Sequence, residues 1–351
     1  ISAVETVDFP YKLPQGELKK FASNLFSDSF ENINRLLEVF DNTGIHSRNL
    51  CVPVDFFLTD VSFAEKNNLF QKISLEYSAL IIEKILAGSK ISKEDITDII
   101  YFTSTGLTTP SLDAIIINKL RLNSNANRIP VWGLGCAAGV SALAKAKVTA
   151  DANPDAVILL LGVELCSLTF IRNDLSKSNF IATSLFSDGM AAALVLGENS
   201  RNHFPLVNEV KLLSSESKLY YDSEDVMGWE FIDEGFKVVF SKDIPGLIGS
   251  AVKKDFFSFL DKNRLSLNDI QNFVIHPGGM KVIEAYINNL SLEKEKLSFT
   301  TKILQNYGNM SSVTVLYVLK KFLKEGYKKG KGMMMSLGPG FSCEMLLLEM
   351  Q

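Results

Sequence analysis

The stretch VWGLGCAAGVSALAKA, residues 131–146, places Cys136 where an apolar run stops and an alanine-rich run starts. A strand ending near Gly135 with a helix starting at once would set the sulfur beside free backbone N–H groups and the positive end of a helix dipole. Those donors favour thiolate, the nucleophilic form. Gly133, Gly135 and Gly139 let the chain turn sharply and let another backbone or a substrate come close. The plainer reading is that free cysteine is among the most buried residue types and often only fills space. This stretch alone leaves both readings open.

Histidine is scarce, with three in the chain. His46, in NTGIHSRNL, and His203, in ENSRNHFP, read as loop or surface residues. His276 ends the apolar run DIQNFVIHPGG, and Pro277, Gly278 and Gly279 stop a strand and expose the side chain at the C-terminal edge of a sheet. Ligands of open α/β sheets gather at that edge. The alternative is a satisfied core imidazole. Asn309, in QNYGNMSSVTVLYVLKK, follows Gly308 at the start of a helix, where an N-cap is the default for asparagine. The same amide could instead aim an N–H at a developing oxyanion.

Bringing three such residues together needs strands that end at a common edge. ITDIIYFTST (96–105), RIPVWGLG (128–135) and DAVILLLGVEL (155–165) are β-branched and Leu-rich, as strands buried on both faces should be. SLDAIIINKLRL and AAGVSALAKAKVTADA between them are of helical length and composition, so the pattern predicts a parallel sheet with right-handed crossovers. The second half repeats the theme: a strand ending at His276, a helix over MKVIEAYINNL, a long amphipathic helix over 311–330, then two strands joined by Gly338-Pro339-Gly340. A seam is expected near Gly197 to Pro205, and the segment before residue 95 reads as mostly helical.

The 351 residues, 46% hydrophobic, exceed the size at which single cores stop growing and predict two closely packed halves. Forty acidic and 36 basic residues leave a formal charge of −4 with no long single-sign block, which supplies no footprint for nucleic acid or anionic membrane. A local cationic mouth for a phosphorylated ligand is compatible with that balance. Cysteines at 51, 136, 166 and 343 form no CxxC pair and point to a reducing cytoplasm. The most apolar stretch is interrupted by Glu164 and falls short of the roughly 20 residues that span a bilayer. ISAVETVDFPYKLPQ lacks the basic start and apolar run of a signal peptide.

The motifs VWGLGCAAG, GVELCSLTF, TSLFSDGMAAALVLG, HPGG, YGNMSS and GPG, in this order, resemble type III polyketide synthases, the chalcone synthase-like branch of the thiolase superfamily. The likeness runs from NTGIHSR to the last strand and looks closest to bacterial alkylpyrone synthases. It implies an α/β, thiolase-like fold of two similar halves, 1–200 with the cysteine and 201–351 with the histidine and asparagine, packed as a layered αβαβα core. It implies Cys136 as acyl-accepting nucleophile, His276 as its base partner and Asn309 as the third member of the triad. Phe186 would be a gatekeeper between a CoA tunnel and the reaction cavity. Ser104, Thr169 and Ser311 match cavity-lining positions, and Gly338, Pro339 and Gly340 match a cyclisation-pocket loop.

Two departures from the family pattern stand out. Val238 occupies a position where many relatives carry a second gatekeeper phenylalanine, although Phe236 and Phe240 lie close enough for the register to slip. Cys166 stands where threonine is frequent. Both suggest a wider, more apolar cavity. Arg48, in GIHSR, is a candidate contact for a CoA phosphate, against a solvated helix-end charge. The implied reaction joins an acyl-CoA starter, here expected to be a medium- or long-chain fatty acyl group, to malonyl-CoA by decarboxylative condensation, with cyclisation to an alkylpyrone. An acyl thioester is electrophile and leaving group at once, so no metal or redox cofactor is expected. The family also implies a homodimer. An alkylresorcinol-forming or ketoacyl synthase III-like enzyme would use the same triad, and a cysteine hydrolase would share the Cys, His, Asn order.

Overall fold

In the computed structural model, which describes residues 1–27, 33–241 and 243–351, the apolar runs form strands that end together. Numbered along the chain, the strands are β1 (Ala3–Val7), β2 (Tyr11–Pro14), β3 (Ser47–Leu50), β4 (Asp98–Thr103), β5 (Asn127–Trp132), β6 (Val157–Leu165), β7 (Asp188–Leu196), β8 (Val210–Leu219), β9 (Met227–Ile232), β10 (Gly235–Phe240), β11 (Ile270–Ile275), β12 (Gly330–Gly338) and β13 (Ser342–Met350). One sheet has the order β1-β7-β6-β4-β5 and a second the order β11-β12-β13-β8. β4 runs parallel to β5 and β6, and β11 runs parallel to β12, as the strand and helix alternation requires. The first sheet also gains two strands that the sequence pattern does not announce, β7 and β1, both antiparallel.

Alternation along the strands sorts their side chains into layers. Ile100 and Phe102 of β4 and Ile158 and Leu160 of β6 share an inner cluster with Val274, Met334 and Leu346 of the second sheet. Between the two sheets lie the helices Ala138–Ala152 and Thr314–Glu325, whose Ala142, Leu143, Leu316 and Leu319 belong to that cluster. The intervening residues face outward: Ile99, Tyr101, Leu159 and Leu161 pack with Ile81, Ile82 and Ile85 of the helix Phe63–Ser89. On the far side Phe273, Met333 and Met335 pack with Phe256, Phe259 and Tyr286 of the helices Lys253–Lys262 and Met280–Leu290. The result is the layered order αβαβα. The halves share one central layer, so Tyr317 and Lys320 of the second half bond to Met190 and Glu5 of the first, at 3.2 and 2.8 Å.

The N-terminal region is mostly helical, as expected, with the helices Gln15–Phe26, Ile33–Asn42 and Phe63–Ser89, but β1, β2 and β3 also lie in it. The helix expected over 311–330 is shorter. It begins at Thr314 after a 3-10 turn over Ser311–Val313 and stops at Glu325, where Gly326 takes a φ of 109°. No described helix is long and apolar enough to cross a membrane.

Candidate active site

Three chain turns converge on one cavity. β5 leads through Gly133 and Leu134 into a 3-10 turn, Gly135–Ala137, which holds Cys136 directly before the helix Ala138–Ala152. β11 delivers His276 at its end, with the backbone N–H of His276 donating to Met335 O at 2.9 Å. Gly308 breaks the chain after the helix Ser298–Tyr307 and sets Asn309 beside Phe186, where Asn309 N donates to Leu185 O at 3.0 Å and Ser187 N donates to Asn309 O at 2.8 Å. Cys136, His276 and Asn309 all line a cavity of ≈ 960 Å³. The absence of a Cβ at Gly139 allows this convergence: one placed there would sit 2.2 Å from Ser312 O, so only glycine admits the turn that follows Asn309.

The asparagine is tied at both ends of its amide, although it is not the N-cap of the helix that follows. Its Oδ1 accepts from Ser311 N–H at 2.8 Å, as a capping side chain would, and its Nδ2 donates to Gly278 O at 2.9 Å. Those bonds fix the amide orientation and leave one N–H of Nδ2 over. The imidazole of His276 is buried, yet neither ring nitrogen has a partner, so it is not the satisfied core histidine that burial would favour. Nor is it exposed, as Pro-Gly-Gly suggested; it is 3% exposed and faces the cavity. Burial pushes its pKa down to about 3, so the ring is neutral and one nitrogen carries a proton. Burial also pushes the Cys136 thiol up to about 12, against the pull of Ser311 and Asn309. Desolvation therefore outweighs the helix-terminus effect, and the resting pair is thiol and imidazole, without an ion pair. His46 and His203 are exposed, as expected.

Arg35, Lys177 and Lys281, all exposed, line the wide cavity together with Glu38. They form a local cationic mouth that the near-neutral total charge conceals. Arg48 is not part of it. It lies in β3, 4% exposed, donating from Nε to Gln15 Oε1 at 2.9 Å and from Nη1 to Phe186 O at 2.7 Å. Both readings offered for Arg48 are corrected: it lies in a strand and not at a helix end, and it is buried away from the wide cavity, with Nε on Gln15 and Nη1 on the Phe186 carbonyl.

Phe186 lines one cavity and touches the wall of another. Its ring stacks on Phe240, which lines the wide cavity, with centroids 5.7 Å apart, and it lies 6.2 Å from Trp229. Trp229, Phe236, Val238, Cys166 and Thr169 line a second, narrow chamber of ≈ 70 Å³. Phe236, Val238 and Phe240 alternate along β10 and so share one face of the β9–β10 hairpin, with Val238 directly opposite Trp229. Of the three, Phe240 is the one whose ring stacks on Phe186. The pairing of Val238 with Trp229 corrects the expectation of a wide cavity from Val238 and Cys166. The chamber is apolar, but the indole of Trp229 occupies the space that the smaller residues leave.

The remaining assignments divide. Ser311 Oγ accepts from Cys136 Sγ at 3.7 Å and lies 3.2 Å from Ser104 Oγ, but neither serine lines either cavity. Gly338, Pro339 and Gly340 line neither cavity as well. They pack against the Cys136 turn, since a Cβ on Gly338 would lie 2.5 Å from Ala137 Cβ and one on Gly135 would lie 2.6 Å from Pro339 Cδ. Two residues went unread in the sequence. Trp229 alternates with Met227 and Phe231 along β9, a visible pattern. Glu164 is a carboxylate inside the most apolar strand, fully buried, and accepts from Ser104, Thr105 and Ser312.

The N-terminal domain model of chalcone and stilbene synthases matches residues 61–199, and the C-terminal domain model matches 211–350. A chalcone synthase-like protein of Bacillus subtilis is 46% identical over 96% of this chain and 94% of its own length. An alpha-pyrone synthesis polyketide synthase-like protein of Mycobacterium tuberculosis, Pks18, is 28% identical over 95% of this chain and 87% of its own. The crystal structure of 1,3,6,8-tetrahydroxynaphthalene synthase from Streptomyces coelicolor superposes with a TM-score of 0.93 at 26% identity, covering 99% of this chain and 98% of that one. Two family models spanning both halves, the sequence identity and the shared fold agree: the chain belongs to the chalcone and stilbene synthase family of type III polyketide synthases, acyltransferases that form carbon–carbon bonds from acyl-CoA and malonyl-CoA.

Proposed function

We propose that this enzyme loads a medium- or long-chain fatty acyl group from CoA onto Cys136, extends it with malonyl-CoA and releases an alkylpyrone. The observation that carries the starter assignment is the apolar lining on both sides of Phe186: Leu36, Val39, Ile181 and Leu185 in the wide cavity that holds Cys136, and Phe57, Phe170, Trp229, Phe236 and Val238 in the narrow chamber. The name of the mycobacterial relative, an alpha-pyrone synthesis protein, supports the product class.

In this reading the Cys136 sulfur attacks the starter thioester and becomes acylated. CoA leaves through the wide cavity, where Arg35, Lys177 and Lys281 face its phosphates. Malonyl-CoA then loses carbon dioxide, and the enolate oxygen accepts from the spare N–H of Asn309 Nδ2 and from the neutral imidazole of His276. A neutral imidazole suits this task, since it keeps a proton to offer without holding a full charge in an apolar pocket. The carbanion attacks the Cys136 thioester, and no step requires a metal or redox cofactor. Leu107, Trp132 and Phe231, exposed next to one another around Gly106, support a homodimer, and four unpaired cysteines suit a reducing cytoplasm.

The test is a panel of acyl-CoAs from acetyl to palmitoyl, with aromatic starters, each incubated with malonyl-CoA and analysed by product mass. Alkylpyrones from medium or long acyl chains are expected. Turnover of aromatic starters alone, or resorcinols as the products, would overturn the starter or the cyclisation assignment respectively.

A further inference from the structure

The hairpin β9–β10 supplies a wall to both cavities, Trp229, Phe236 and Val238 to the narrow chamber and Met227 and Phe240 to the wide one. Among the described residues it pairs with no third strand. A two-stranded hairpin is marginal by itself, so contacts from outside must hold it. Rings supply most of them: Phe236 meets Phe63 edge-on with centroids 5.4 Å apart, Phe240 stacks on Phe186 at 5.7 Å, and Phe231 lies 5.7 Å from Trp132. Apolar burial is non-directional, so these contacts alone leave the wall free to slide.

One contact has direction. Lys66, in the first turn of the helix Phe63–Ser89, donates from Nζ to Glu234 O at 3.2 Å, in the turn between β9 and β10. Among the described residues this is the only hydrogen bond that joins residues 227–240 to the rest of the chain. The same ammonium donates to Phe170 O at 3.1 Å, and Phe170 walls the narrow chamber too. Its base is firm, because Ser62 and Glu65 cap the start of the helix with a reciprocal pair of hydrogen bonds. Lys66 itself is 8% exposed and lines neither cavity. Its partners are two carbonyls, so the charge is drawn out of water without an ion pair, a cost that an apolar side chain of the same length would not carry.

We propose that Lys66 is a specificity-determining positioning residue: by tying the tip of the β9–β10 hairpin to Phe170, it sets how far this wall stands from the opposite wall of the chamber and so which acyl chains the enzyme accepts. This rests on the reading that the acyl chain is received beside the apolar walls that flank Phe186. Lys66 touches neither the triad nor the chain and acts through Trp229, Phe236 and Val238. Without the tether the hairpin is held by its rings alone, opens more often and yields to a longer chain.

The test compares the wild type, Lys66→Met and Lys66→Arg in two measurements on the whole chain. The first is hydrogen–deuterium exchange without substrate, read on peptides covering 227–240, with peptides of β4 and β6 as the internal reference. The second is relative kcat/KM over acyl-CoAs from acetyl to palmitoyl, each with malonyl-CoA. Lys66→Met should exchange at least about tenfold faster in 227–240 and at the wild-type rate in β4 and β6. It should also move the preferred starter to a longer chain, each further buried methylene counting for roughly fourfold in kcat/KM. Lys66→Arg, which keeps a charged donor able to reach both carbonyls, should restore both. Should Lys66→Met fail to fold, Lys66→Gln, polar but too short to span the two carbonyls, carries the same expectations. A folded variant without the tether that keeps the wild-type exchange in 227–240, or the wild-type chain-length profile, would overturn the proposal. Exchange is read without substrate, so an enzyme that used aromatic starters alone would overturn the fatty acyl assignment and leave the tether standing.

Discussion

On one side of Phe186 the wide cavity holds Cys136, His276 and Asn309 and opens past Arg35, Lys177 and Lys281; on the other, the narrow chamber is walled by rings and small apolar groups. The polar side is built from backbone. Asn309 is oriented by the N–H of Ser311 and the carbonyl of Gly278, and the Gly338 loop packs against the Cys136 turn. The apolar side is built from side chains, with Phe186, Trp229, Phe236 and Phe240 in contact through their rings. The difference teaches where each property of the enzyme resides. Geometry fixed by backbone serves bond making, which tolerates little misplacement, whereas packed rings can be exchanged to change what fits.

Substitutions on the polar side should therefore remove chemistry, and those on the apolar side should redirect it. The largest effect is expected from Cys136→Ala, which should lower product formation by about 10⁴-fold or more in assays with malonyl-CoA. Asn309→Ala should lower kcat by about 10²–10³-fold, the effect of losing one oxyanion donor, while leaving acylation of Cys136 measurable by intact mass. A comparable fall in acylation would show that Asn309 serves loading as well. Trp229→Ala should shift the preferred starter to longer chains, with each added methylene that becomes buried worth about 0.8 kcal/mol, or roughly fourfold in relative kcat/KM. An unchanged chain-length profile would mean that the acyl chain does not enter this chamber.

Much of the polar side was legible in sequence and much of the apolar side was not. Cys136 after Gly135, His276 before Pro-Gly-Gly and Asn309 after Gly308 are marked by glycine and proline, which punctuate a chain wherever it is placed. β4 and β6 were readable because strands buried on both faces are continuous apolar runs, whereas β5 departs from that expectation as a mostly exposed edge strand. β7 was missed because DGMAAALVL is half alanine and methionine, a composition that suits a helix equally well. Arg48 was misread because local sequence says nothing about burial, which Gln15 and the Phe186 carbonyl supply from distant segments. The size of the chamber was misjudged for the same reason: Val238 faces Trp229 only through strand pairing. Glu164 was visible as a charge interrupting an apolar strand, but its hydroxyl partners come from β4's end and from the turn after Asn309.

Two smaller effects sharpen the comparison. His276 binds no proton in the fold until about pH 3, whereas the unfolded chain binds one below 6.5, so this group makes stability fall as pH drops through that window. Glu164 acts oppositely, keeping a proton up to about 7 that the unfolded chain releases above 4.5, so its contribution is lost as pH rises through that range. The two oppose each other between 4.5 and 6.5; below 4.5 His276 adds a slope of about 1.4 kcal/mol per pH unit to the acid loss from carboxylates held low by partners, such as Glu349 beside Lys331. Urea unfolding from pH 3 to 7 should show that acid limb flattened in His276→Gln, and an unaltered limb would contradict a buried neutral imidazole. Lys281→Ala should raise KM for CoA thioesters by about two- to fivefold at low salt, with the difference fading as salt is added.

The proposed function stands on Cys136 taking the acyl chain in the wide cavity that it lines. Intact-mass analysis of the enzyme incubated with decanoyl-CoA alone, followed by peptide mapping, tests it directly. One decanoyl group per chain is expected, on Cys136, absent from Cys136→Ala. An adduct that persists in Cys136→Ala, or a wild-type enzyme that turns over decanoyl-CoA with malonyl-CoA without any acyl-Cys136, would contradict it.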